Sequence, residues 1–216
     1  MRKIRIGIGM KPILIATAFA VLFIFSAVNG SAQNRPAVVS AAEIIKRFEK
    51  SQPVNYENVT ISGDLDLSNL PVRTNDAIYP ENGKTARVYA TTVDQPITFR
   101  NVIFDGKLNF FRRSETNKEI NEYRIVFERG VVFENCTFNE TANFELTNFN
   151  GGVSFAGSTF NYKPSFVRVG LVSVPDLAKT TFANGSIFKN FQNDTPQNLS
   201  APELKSFYQK YIESRK

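Results

Sequence analysis

From Phe127 to Phe188 the chain places one large apolar residue every five or six positions. These centres are Phe127, Phe133, Phe138, Phe144, Phe149, Phe155, Phe160, Phe166, Leu171, Leu177, Phe182 and Phe188. A strand has a side-chain period of two and a helix one of 3.6, so neither produces this spacing. Two positions before most centres stands a small or compact residue: Val131, Cys136, Ala142, Thr147, Val153, Ser158, Val169, Thr180 or Ser186. Ile125, Pro164 and Pro175 are the exceptions. The residue immediately before a centre is mostly Thr, Asn or Ser. Each unit therefore offers one bulky and one small side chain to an interior and then turns. Such units bury their apolar residues only by stacking, which predicts a coil whose sides repeat by translation.

The intervals alternate between five and six residues, so two units use 11 residues and four use 22. The same unit appears earlier as "ISGDLDL" (Ile61 to Leu67) and "FDGKLNF" (Phe104 to Phe110), with Tyr56 and Phe99 five residues ahead. The predicted repeat region is 54–192, with insertions near 71–95 and 112–124. Ser62, Asp105, Asn139, Asn150 and Asn161 each follow a centre that opens a six-residue interval. Asn and Asp tolerate left-handed backbone, so these slots are predicted to be left-handed corners that absorb the extra residue. Phe133, Phe138, Phe144, Phe149, Phe155, Phe160 and Phe166 are predicted to share one continuous interior column, with Phe138 under Phe160. A rival reading, an antiparallel sandwich with a hairpin at Asn150-Gly151, does not require a motif that repeats by translation.

These units resemble the pentapeptide-repeat family, whose repeats carry a central Leu or Phe and a small residue two places before it. The resemblance covers about Val54 to Phe191. Family members wind into a right-handed, four-sided β-helix with one repeat per side. The resemblance thus implies an all-β solenoid, to which the flanks add short capping helices at both ends. Ser40 and Glu43 form a capping-box pattern before Ile44, Ile45 and Phe48, and Ser200 and Glu203 another before Leu204, Phe207, Tyr208, Tyr211 and Ile212. Residues 33–53 are predicted to be a linker and N-terminal capping helix, and 193–216 a C-terminal capping helix.

Residues 1–32 have the pattern of a secretory leader. Arg2, Lys3, Arg5 and Lys11 precede an uncharged apolar run from Pro12 to Val28, and Gly30, Ser31 and Ala32 supply a small-residue cleavage site. Cleavage near Ala32 gives a periplasmic, extracellular or cell-surface protein, and retention gives a membrane-anchored one. The leader holds four of the 26 basic residues and no acidic one, so 22 basic residues remain against 20 acidic. That balance is no nucleic-acid footprint. It also separates the chain from family members that imitate DNA with an acidic surface.

Candidate chemistry is sparse. There is no histidine, and Cys136 is the only cysteine, in a small inward slot where a buried hydrophobe is expected. Asp64 and Asp66 fall in a turn and just before a centre, so both are expected to face solvent. No catalytic, cofactor-binding or metal-ligating set stands out. At a separation of one coil, Thr137, Thr159 and Thr181 fall in one outward column, which is the candidate binding face. The expected function is that of an exported, non-enzymatic structural or binding module. Its partner would be a protein or a cell-envelope glycan, with a membrane involved only if the leader is retained. The alternatives are a small carbohydrate-active enzyme on the same scaffold and a membrane-tethered scaffold.

Overall fold

A computed structural model describes residues 36–71, 74–189 and 197–215, with Asn75 and Asp76 by backbone alone. The leader assigned to 1–32 lies outside these residues. Pro36 to Lys216 forms one compact unit. It is an all-β solenoid of four walls whose strands, each only two to four residues long over most of the coil, pair in parallel with those of the next coil.

Each wall is a ladder of inward centres. Tyr56, Phe99 and Phe133 stand opposite one another on the first wall, and Ile61, Phe104, Phe138, Phe160 and Phe182 on the second. The third carries Phe144, Phe166 and Phe188, and the fourth Val93, Phe127, Phe149 and Leu171. The interior is therefore four stacks that meet at the axis, rather than the single column expected from the spacing. A four-sided coil separates consecutive centres by a quarter turn, so only residues one full coil apart stack face to face. Phe138 lies 4.2 Å from Phe160 and nearly parallel to it, while Phe133 and Phe138 meet edge to face at 5.6 Å. Both arrangements suit the ring quadrupole. All twelve centres are buried except Phe182, which is half-buried at the edge of the core.

The small slots stitch coil to coil. Ser158 Oγ donates to Phe133 O at 3.0 Å and accepts from Cys136 N at 2.9 Å, and Thr180 Oγ1 donates to Phe155 O at 2.8 Å. These bonds satisfy backbone groups that a bulkier side chain would cut off.

The corners differ from expectation. Ser62, Asp105, Asn139, Asn150 and Asn161 are not left-handed; positive φ angles fall at Gly63, Gly152 and Gly185 in the six-residue intervals and, in the five-residue intervals, at Asn135, Leu146, Gly157, Arg168 and Lys179. There the centre's carbonyl accepts from the residue three places on, as in Thr147 N to Phe144 O and Ser158 N to Phe155 O, both 3.0 Å. In these shorter turns the left-handed residue stands third, as in a type II turn; in the longer corner after Phe149 the same bond, Gly152 N to Phe149 O at 3.2 Å, closes with the left-handed glycine fourth. The asparagines of the longer corners bond between coils instead. Asn161 Nδ2 donates to Asn139 Oδ1 at 3.1 Å, and Asn139 Nδ2 to Asp105 Oδ1 at 3.3 Å.

Both ends are covered. Residues Ala37–Ser40, within the predicted linker, form a strand that extends the second wall by pairing with Val59–Ser62. Helix α1 (Ala41–Glu49) follows and buries Ile44 and Phe48. Ser40 Oγ accepts from Ala42 N at 3.2 Å, but Glu43 turns to the Tyr56 hydroxyl at 3.2 Å, so the reciprocal half of the predicted box is not made. Helix α2 (Ala201–Glu213) sets Phe207 and Tyr208 against Phe188 at 4.5 and 5.8 Å. Here Glu203 does accept from Ser200 N, at 2.8 Å. These helices shield the open coil edges that would otherwise pair with other chains.

The two insertions are hairpins, Thr74–Glu81 with Lys84–Val93 and Phe111–Glu115 with Glu119–Phe127. Lys84–Val93 and Glu119–Phe127 pair in parallel along nine residues, so the hairpins make a four-stranded fin continuous with the fourth wall.

Candidate functional site

The sequence-predicted threonines lie on the outer surface of the second wall. Thr137 pairs with Thr159 and Thr159 with Thr181, so the three threonines stand in one rank. The rank continues where the spacing gave no hint of it. Thr137 pairs with Ile103, Ile103 with Thr60, and Thr60 with Val38. Six β-branched side chains thus form a ridge about 24 Å long at the interstrand step of about 4.8 Å. Val38 is 70 % exposed, Thr181 is exposed, and the four between them are half-buried by their neighbours. β-Branched side chains occupy few χ1 rotamers, so the ridge is stiff before anything touches it.

Amide rows flank the ridge. On one side, two residues before the ridge positions, stand Asn58, Asn101 and Asn135, all with left-handed backbone; Asn101 Nδ2 donates to Asn58 Oδ1 at 3.1 Å. On the other side runs the ladder of Asp105, Asn139 and Asn161 described above. Over its middle the wall therefore presents methyl and hydroxyl groups between two polar rows; two residues before Thr159 and Thr181 the first row gives way to Gly157 and Lys179. Chemically, it can pack apolar patches along its midline and exchange hydrogen bonds along both margins.

The remaining candidates serve the fold. Asp64 Oδ1 accepts from Lys107 N at 2.9 Å, and Asp66 accepts from Ser68 N, Ser68 Oγ, Asn69 Nδ2 and Asn109 Nδ2 at 2.6 to 3.1 Å. Both carboxylates hold adjacent coils together. Cys136 is 1 % exposed, and burial pushes its thiol up to about 12. Among the described residues no group of His, Cys, Asp or Glu is arranged to hold a metal ion, and no helix is long and apolar enough to cross a membrane.

Two features escaped the sequence. Val38, Thr60 and Ile103 belong to the ridge, but the insertions stretch the interval from Thr60 to Ile103 and from Ile103 to Thr137 beyond one plain coil. Their signal was the β-branched residue before each early centre. The fin was the other, because it repeats nothing.

A family model described as pentapeptide repeats, in nine copies, matches residues 123–162. No curated protein and no solved structure matches the chain.

Proposed function

The chain is a pentapeptide-repeat protein, and on that premise we propose that it is an exported, non-enzymatic binding module that uses its second wall to grip a regular polymer, a glycan of the cell envelope. The observation that carries this reading is the ridge of Val38, Thr60, Ile103, Thr137, Thr159 and Thr181, flanked over its middle by polar rows of Asn and Asp. A polysaccharide chain has apolar ring faces and hydroxyl edges, and the wall offers methyl groups and amides in matching strips. Because the ridge is preordered, binding would freeze few side-chain rotamers. The interior is filled with phenylalanine rings, and Asp64 and Asp66 are engaged by the backbone and side chains of the next coil, which favours binding over catalysis. The leader pattern at 1–32 supports export, and a mature N-terminus just after Ala32 in protein from its native host would bear that out.

The test is co-sedimentation of the folded chain with insoluble cell-wall glycan. The Thr137→Lys, Thr159→Lys, Thr181→Lys triple variant, matched to wild type by circular dichroism, should lose binding. A variant that sediments with every glycan the wild type binds would overturn the assignment.

A further inference from the structure

One face of the fin carries a cluster of charged side chains unrelated to the ridge. Its strands run in the order Thr74–Glu81, Lys84–Val93, Glu119–Phe127, Phe111–Glu115. Arg113, on one outer strand, reaches Glu81 on the other at 3.1 Å, passing over both inner strands. A flat sheet would hold those outer strands about 14 Å apart. The long Arg113 and Glu81 side chains span that distance, and small residues on the strand Lys84–Val93, Ala86, Val88 and Ala90, leave the bridge room to cross. Beneath the bridge Glu122, only 1 % exposed, accepts from the Tyr79 hydroxyl and from Arg113 Nη1, both at 2.8 Å. The buried carboxylate is thus neutralised within the fin.

Between the fin and the coil lies a cleft of about 390 Å³, in the range of small-molecule sites. Its apolar lining is Ala77, Val88 and Leu146, and its polar lining is Tyr79, Glu122 and Arg124 from the fin and Arg168 from a left-handed corner of the coil. Two arginines therefore line one cavity from separate parts of the fold, and Glu122, the carboxylate among the lining residues, is already bonded to Arg113 and Tyr79. Guanidinium presents a planar fork of donors that matches a carboxylate. Tyr79 does not oppose an anion there. Burial and its bond to Glu122 push its phenol up to about 12, so it stays neutral. Glu145 is electrostatically coupled to Arg168, and burial raises its pKa.

We propose that this cleft binds a small organic carboxylate, its anionic group between Arg124 and Arg168 and its aliphatic body on Ala77, Val88 and Leu146. The site is independent of the threonine ridge, and either reading stands if the other falls.

Isothermal titration of the full folded chain with 4-methylpentanoate, and with the neutral 4-methylpentanamide, tests it. The carboxylate should bind saturably and the amide about tenfold or more weaker, as expected for charge-assisted bonds. Arg168→Gln should lose about the same factor, while Arg129→Gln, on the exposed surface, should bind as wild type does. Absence of saturable binding, equal binding of acid and amide, or full affinity in Arg168→Gln would overturn the proposal. Should Arg168→Gln fail to fold, the acid and amide comparison on wild type decides alone.

Discussion

Phe149 offers the sharpest physical test of the coil. Its side chain is 0 % exposed, with its ring 5.4 Å from Phe127 and nearly parallel, and 6.4 Å from Phe144. One coil on, the same stack is occupied by Leu171, so the slot accepts a leucine. Phe149→Leu should therefore cost about 1–2 kcal/mol, mainly lost apolar area. Phe149→Ala removes the whole ring and leaves a cavity that the rigid walls cannot close, costing about 3–5 kcal/mol. Phe149→Asp adds to that loss a carboxylate with no partner among phenylalanine rings, several kcal/mol more. The sum rivals the roughly 5–15 kcal/mol by which a domain is stable, so this variant should be unfolded at 25 °C. Asn148→Asp, one residue away and facing outward, should cost less than about 1 kcal/mol. Urea unfolding followed by far-ultraviolet circular dichroism gives all four values. Equal damage from Asn148→Asp and Phe149→Asp would refute the facing on which the coil rests.

Arg113→Ala should strand Glu122 in the fin at a cost of about 3–5 kcal/mol, felt locally. Amide exchange should accelerate in Lys84–Val93 and Glu119–Phe127 while the Phe138 and Phe160 strands stay protected; uniform loss of protection would mean that the fin and coil are one cooperative unit. Cys136 should resist thiol reagents in the folded protein at pH 8 and react fully in urea, since its folded pKa is about 12. A folded pKa above the unfolded value stabilises the protein below the unfolded pKa and is lost as pH rises through the folded one, so the Cys136 contribution declines from about pH 8.5. Cys136→Ser should flatten that decline, and rapid labelling of native protein would contradict the burial.

The coil was legible because its register is carried by one residue type at a nearly fixed spacing. Phe133, Phe138, Phe144 and Phe149 each mark one side, and nothing but stacking explains them. The division of the interior into four stacks needs the quarter turn between sides, which spacing alone does not state. Left-handed corners were misplaced because turn preference was read from Asn, whereas Leu146, Arg168 and Lys179 adopt positive φ for the sake of coil closure. Tertiary geometry overrides local preference there. Half the ridge was visible at intervals of 22, and Val38, Thr60 and Ile103 were not, because the insertions change the interval. The cleft was invisible. Tyr79, Glu122, Leu146 and Arg168 are brought together by pairing between distant hairpins and the coil, which leaves no periodic trace.

The most direct test of the binding role uses the wild-type chain and the Thr137→Lys, Thr159→Lys, Thr181→Lys variant as matched baits against the native cell envelope, with sugar analysis and mass spectrometry of what each retains. The ridge predicts that polysaccharide is recovered on the wild type and lost from the variant. Recovery of a protein partner without glycan, held equally by both baits, would contradict it.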